Sequence, residues 1–212
     1  MKRLLVFVLA VTLLGSCTES VTLIPDENFE KALIELGYDD KLDGGVITSN
    51  INGIVALWID EKDIHDLTGI EDFTALTELN CSSNQFTSLD VSKNTALTYL
   101  GLFDNKLTSL DISNNTALTY LNCRFGQLTN LDLSKNRALE ELYCDNNQLT
   151  SLNVSNNTAL TKLQCEDNRL TNLDLSNNPA LTLVVCGGNK FDCHDLKVKY
   201  GLAVPYHELL GF

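Results

Sequence analysis

LTELNCSSNQFTSLDVSKNTA, residues Leu76–Ala96, runs directly into LTYLGLFDNKLTSLDISNNTA, residues Leu97–Ala117, and three further variants begin at Leu118, Leu139 and Leu160. Each copy opens on LxxLxCxxN, as in Leu139, Leu142, Cys144 and Asn147, with Leu102 in place of the Cys in the second copy and Gly126 in place of the Asn in the third. A fixed period decides the fold before any local signal does, because one unit cannot bury its own apolar face and several must stack. Apolar residues two apart point to one side of a strand, so stacking turns Leu79, Cys81 and their equivalents into interior columns. A second echo lies inside the first: Phe86, Leu89, Val91 and Asn94 repeat the spacing of Leu76, Leu79, Cys81 and Asn84. The pattern predicts a mostly β repeat solenoid of the α/β type, with two short parallel strands in each 21-residue coil.

The Asn at each bend follows from the same physics. Where the chain leaves a strand, its N–H and C=O groups face inward without ladder partners, and a buried Asn bonds to them there. Asn84, Asn105, Asn147, Asn168 and Asn189 form one expected ladder, broken at Gly126, and Asn94, Asn115, Asn136, Asn157 and Asn178 form the other. The ends need covers, since a terminal coil would present an apolar face and an open sheet edge. PDENFEKALIELG, Pro25–Gly37, reads as a helix with Asp26 as its N-cap, an apolar face of Phe29, Ala32, Leu33 and Leu36, and Gly37 at its end. A degenerate coil lies between Ile54 and Ala75, and beyond Phe191 the repeat fades into DCHDLKVKYG, a short helical cap.

The recurring LxxLxCxxN resembles the leucine-rich-repeat signature. From about Val21 to Asp195 the chain looks like the leucine-rich-repeat surface proteins of flavobacteria and related bacteria, and LTGIEDFTALTEL, Leu67–Leu79, is also similar to the internalin type. The resemblance implies a leucine-rich-repeat solenoid that is non-catalytic, takes no cofactor, and binds proteins or other macromolecules through its sheet surface.

MKRLLVFVLAVTLLGSC, Met1–Cys17, has a basic start and an apolar run from Leu4 to Leu14 that is shorter than the ~20 residues of a membrane span. It resembles a bacterial lipoprotein signal peptide, with Leu14-Gly15-Ser16-Cys17 matching the lipobox. The resemblance implies cleavage before Cys17, diacylglycerol on its thiol, and a cell-envelope location, at the outer membrane or cell surface since Thr18 rather than Asp follows. The expected organisation is a signal peptide over 1–16, a lipidated tether over 17–24, a helical N-terminal cap over 25–53, the solenoid over 54–190 and a C-terminal cap over 191–212.

A formal net charge of -13 speaks against nucleic acid, whose phosphates call for clustered Lys and Arg. Of the seven cysteines, Cys17 is assigned to lipid. Cys81, Cys123, Cys144, Cys165 and Cys186 share one inward position and read as a stack of small hydrophobes, with Cys186 and Cys193 the pair to test as a disulfide. No CxxC or His cluster suggests a metal site, and no acid, base and nucleophile converge in the pattern. An outward column of Asp90, Asp111, Asp132, Asn153 and Asp174, each followed two residues later by Ser, is expected to be screened by water and hydroxyl groups.

The second strand shows nearly the same outward residues in every copy, whereas the first does not. Its third position reads Glu78, Tyr99, Tyr120, Glu141, Lys162; its fifth Asn80, Gly101, Asn122, Tyr143, Gln164; its seventh Ser82, Phe103, Arg124, Asp145, Glu166. That face gathers Tyr99, Phe103, Tyr120, Arg124 and Tyr143, with Trp58 toward the N-terminus, Lys162 on the other side, and an acidic rim of Glu141, Asp145 and Glu166. Tyr, Trp and Arg give large, stiff contact areas with a polar handle, so the face is expected to dock a protein partner. Glycan or peptidoglycan is the alternative, since stacked aromatic faces also suit sugar rings.

Overall fold

The computed structural model describes residues 19–202. Its body is a seven-stranded parallel sheet whose strands follow one another in chain order: β3 (Ala56–Trp58), β4 (Glu78–Asn80), β5 (Tyr99–Gly101), β6 (Tyr120–Asn122), β7 (Glu141–Tyr143), β8 (Lys162–Gln164) and β9 (Leu183–Val185). The register is the repeat itself: Glu78 pairs with Tyr99 and Tyr99 with Tyr120, while the degenerate first coil pairs Ala56 with Glu78. The middle residue of each strand, Leu57, Leu79, Leu100, Leu121, Leu142, Leu163 and Val184, is buried. With the inward Cys column they build one continuous core along the solenoid.

The second predicted strand does not form. The segments around Leu89, Leu110, Leu131, Leu152 and Leu173 run without strand pairing. Adjacent coils share a backbone bond at the preceding corner, as Lys106 N to Phe86 O (2.9 Å) and Gln148 N to Leu128 O (2.9 Å). The outward aspartates explain why. Asp90, Asp111, Asp132, Asn153 and Asp174 each accept the backbone N–H two residues on, from Ser92, Ser113, Ser134, Ser155 and Ser176, at 2.9–3.0 Å. A side chain thus takes the N–H that a neighbouring coil would otherwise bind. The side-chain and backbone hydrogen bonds from Ser92 hold Asp90 below the usual carboxylate pKa, and the backbone bond first, with hydroxyl bonds after it, does the same for Asp111, Asp132 and Asp174.

Both Asn ladders form, and they differ. In the first, Asn147 donates to Cys123 O and Cys144 O and accepts from Leu128 N, and Asn105, Asn168 and Asn189 bond in the same way. In the second, Asn136 donates to Ile112 O and Asn115 O, and its neighbours repeat the pair of bonds. The Oδ1 atoms of Asn94, Asn115, Asn136, Asn157 and Asn178 are buried without a partner.

The N-terminal cap is larger than a single helix. β1 (Val21–Leu23) pairs antiparallel with β2 (Gly45–Ile47), and α1 (Glu27–Glu35) and the single-turn α2 (Thr48–Ile51) pack beside them. Asp26 caps α1 through Oδ1, which accepts from Asn28 N and Phe29 N, and its Oδ2 accepts from His65 N and Asp66 N of the first coil. One carboxylate therefore both starts the helix and fastens it to the solenoid. Phe29 stacks on Phe73, while Leu36, expected on the same face, is 44% exposed because α1 ends before it. Buried Glu30 holds the β2 approach by accepting from the backbone of Asp43, Gly44 and Gly45. At the other end α3 (Cys193–Tyr200) covers the last coil, fixed by a Cys186–Cys193 disulfide and by Tyr200 Oη to Asp174 Oδ1 (2.8 Å). Cys81, Cys123, Cys144 and Cys165 are buried thiols in the core.

Candidate binding surface

Short parallel strands spaced ~4.8 Å apart bring equivalent outward residues of successive coils into van der Waals contact. On this sheet that spacing builds a file of aromatic rings. Trp58, the last residue of β3, meets Tyr99 of β5 at a centroid distance of 5.8 Å. Tyr99 lies on Tyr120 of β6 at 4.4 Å, only 6° from parallel, and Tyr120 meets Tyr143 of β7 at 5.4 Å. Tyr99 and Tyr120 therefore cover one another's faces, with Trp58 and Tyr143 against their outer sides. Trp58, 51% exposed, ends the file.

Burial and the neighbouring Tyr120 raise the Tyr99 phenol to about 12, and Tyr143 is raised further by burial and its bond to Glu141. Tyr143 Oη donates to Glu141 Oε2 at 2.7 Å, and Lys162 Nζ sits 2.8 Å from Glu141 Oε1. Together they hold the Glu141 carboxyl below its usual range, Lys162 first and Tyr143 second.

The turn after the strands carries the second group. Arg124 Nε donates to Asp145 Oδ2 at 2.6 Å. Asp145 is 0% exposed, so it does not belong to the acidic rim expected of it; it lies beneath Arg124, and its Oδ1 is buried without a partner. Phe103 meets Phe125 edge-on at 5.3 Å, and the Arg124 guanidinium lies 5.8 Å from the Phe125 ring centre. Glu166 remains half-buried beside this group. Lys162 and Glu141, expected as separate contacts, form one ion pair.

Phe125 did not emerge from the sequence and belongs here. It is 45% exposed and has φ +54°. Its equivalents Ser83, Asp104, Asn146 and Asp167 share the left-handed backbone, and Gly188 completes the row at φ +65°. Asn, Asp and Gly, which fill most of the row, tolerate that conformation, whereas a Phe there costs about 1–2 kcal/mol. The next residue, Gly126, offers no side chain to Leu107 N, whose equivalents at Phe86, Leu128, Leu149 and Leu170 each donate to an Asn Oδ1. The signal in the sequence was the one aromatic in a column of Glu, Ser, Asp, Asn and Gly. Cys17 lies outside the described residues. Among the described residues no three His, Cys, Asp or Glu side chains converge as metal ligands.

A single-file parallel sheet closed by Asn ladders defines a leucine-rich-repeat solenoid. Among solved structures the chain is similar to the internalin InlF of Listeria monocytogenes, with 22% identity and a TM-score of 0.62 over 85% of this chain and 62% of that one. It is also similar to a leucine-rich-repeat protein of Leptospira interrogans, with 18% identity and a TM-score of 0.62 over 74% of this chain and 50% of that one. Internalin C2 of Listeria monocytogenes matches with 20% identity and a TM-score of 0.59, over 84% and 91% of the two chains. The chain thus spans less than two thirds of the length of the first two. The likeness is one of fold: the chain has the internalin-like leucine-rich-repeat architecture. No family model matches it, and neither does any curated protein.

Proposed function

We propose that the chain is a non-catalytic, lipid-anchored binding protein of the bacterial cell envelope, at the outer membrane or cell surface, that holds a protein partner on its seven-stranded sheet. The aromatic file Trp58–Tyr99–Tyr120–Tyr143 carries this reading, because it occupies the one face whose outward residues the repeat leaves free to vary. Pre-stacked rings lose little side-chain freedom on binding, which is what suits aromatic anchors to interface hot spots. The geometry favours protein over glycan: a sugar stacks on an open ring face, and the faces of Tyr99 and Tyr120 are covered by their neighbours. Lipid on Cys17 would supply the attachment, since two or three acyl chains anchor far more firmly than one.

Affinity capture from envelope and culture extracts with residues 18–212, beside a Tyr99→Ala, Tyr120→Ala, Tyr143→Ala variant, tests the reading. A protein held by the first and lost by the second is expected, with both variants showing the same circular dichroism. Equal capture by the two contradicts it, and release of the bound material by soluble glycan favours the sugar alternative. Acyl chains on Cys17, expected by mass spectrometry of the membrane-extracted protein, test the anchor separately.

A further inference from the structure

The small sheet of the N-terminal cap is built inside out. Resting on the reading of Cys17 as the lipidated residue, we propose that the outward face of β1 and β2, formed by Val21, Leu23 and Ile47, lies on the lipid bilayer and seats the cap among the headgroups.

An antiparallel sheet with one solvated face ordinarily turns apolar residues inward and polar ones to water. β1 does the reverse. Thr22 is buried, its Oγ1 donating to Asp72 Oδ2 (2.6 Å) and lying 2.9 Å from Thr48 Oγ1, with Val46 buried opposite it. Val21 and Leu23 point the other way, 66% and 64% exposed, and Ile47 stands opposite Val21 on the same face. Gly45, opposite Leu23, puts no side chain between them: a Cβ there would stand 2.8 Å from Val21 Cγ1. The sheet is fastened to the first coil from its inner face, through Asp72, so the outward apolar surface is not spent on packing. Contiguous apolar surface of this kind marks a contact with something else.

The length of the tether selects what covers it. Ser20 is already fixed to the cap, its carbonyl accepting from Thr48 N at 2.9 Å. Three residue steps separate Ser20 from Cys17, at most ~11 Å of fully extended chain. An anchor that short holds the cap at the headgroups and leaves no room between cap and bilayer for a folded domain, whose radius of gyration is ~13 Å at 100 residues. Apolar side chains held at that boundary are stabilised by entering it. Asp39, Asp40 and Asp43 border the face, lining with Val21 and Ile47 a depression of about 250 Å³, and Lys41 in the same lining is paired with Asp43 at 2.6 Å. This acidic border suits zwitterionic headgroups and is repelled by an anionic surface. A second attachment beside the tether stops the cap from turning about it, so the binding sheet is held at one angle to the membrane.

The test couples residues 17–212 through Cys17 to a maleimide-bearing lipid in phosphatidylcholine vesicles; the four core cysteines are buried and do not compete. Tryptophan fluorescence is read in a Trp58→Phe background, with brominated acyl chains as the quencher. Leu23→Trp is expected to be blue-shifted and quenched, and Lys190→Trp, exposed at the other end of the solenoid, to be unchanged. Val21→Ser with Ile47→Ser, which leaves the buried face of the sheet untouched, is expected to abolish the quenching of the Leu23→Trp probe while circular dichroism stays the same. Absence of quenching in the coupled Leu23→Trp chain overturns the proposal. So does equal quenching with Val21 and Ile47 replaced, which would be the work of the tether alone. Self-association of the uncoupled chain that Val21→Ser with Ile47→Ser removes would give the face to a second copy and overturn the proposal as well. Because the vesicle supplies the lipid, quenching there without acyl chains on the native Cys17 would sink the anchor reading and leave the affinity of this face for a bilayer standing.

Discussion

Phe125 and Gly126 stand at two positions where the neighbouring coils keep Ser, Asp, Asn or Gly and then Asn, and the backbone shows what that exchange costs. Phe125→Asn should raise the free energy of urea unfolding by about 1 kcal/mol, since Asn accepts the left-handed turn that Phe resists; a fall would mean that the ring is part of the solenoid's packing. Arg124 is the opposite case. Asp145 beneath it is fully buried, so Arg124→Ala leaves a buried charge uncompensated and should cost about 3–5 kcal/mol. Lys162→Ala breaks a half-exposed pair and should cost about 1 kcal/mol or less in the same denaturation series. These differences separate what spacing encodes from what it does not. Alternation along a strand placed Trp58, Tyr99, Tyr120 and Tyr143 on one face, because side-chain direction follows from period alone. It gave no means of seeing that Arg124 reaches across to Asp145, a contact between coils that depends on side-chain length and turn geometry.

The elements of each coil divide the work unequally. The first Asn ladder donates and accepts, whereas the second only donates, leaving its Oδ1 atoms unpartnered. Asn147→Ala should therefore destabilise more than Asn136→Ala, by roughly 1 kcal/mol for the additional orphaned N–H; equal losses in thermal unfolding would show the ladders to be equivalent. The Cys column makes a second prediction. Burial pushes the thiols of Cys81, Cys123 and Cys144 well above their ordinary range, so a thiol reagent should find none of the four buried Cys in the folded chain and all four after unfolding. Rapid modification of the native chain would contradict the stacked core. At this scale the sequence over-predicted: the echo at Phe86, Leu89 and Val91 has the apolar spacing of a strand, but the Asp90 carboxylate accepts the Ser92 backbone N–H within the same coil. Apolar period reports which residues are buried, and hydrogen-bond partners decide whether they lie in a sheet.

Along the whole molecule the repeat gives one continuous core and one continuous surface, closed by Asp26 at the first coil and by the Cys186–Cys193 bridge at the last. The raised phenol of Tyr99 links the surface to stability. Its folded value of about 12 lies above the ordinary 10.0, so its contribution is complete below pH 10 and is lost as pH rises toward 12, where the unfolded chain gives up the proton first. Stability should decline across that window, and Tyr99→Phe should make the decline shallower in alkaline denaturation curves. An unchanged slope would place the ring in open solvent. The caps were less legible than the repeat, because they occur once: β1, β2 and α2 have no second copy against which to read their pattern. The central claim is that partners dock on the sheet and not on the opposite side of the coils. Photo-crosslinking tests it most directly, with benzoylphenylalanine placed singly at Phe103 or Lys162 on the binding side and at Asp111 or Asp132 on the other. Adducts with the captured partner from the first two positions and none from the second two are the predicted result; adducts at Asp111 or Asp132 alone would contradict the account.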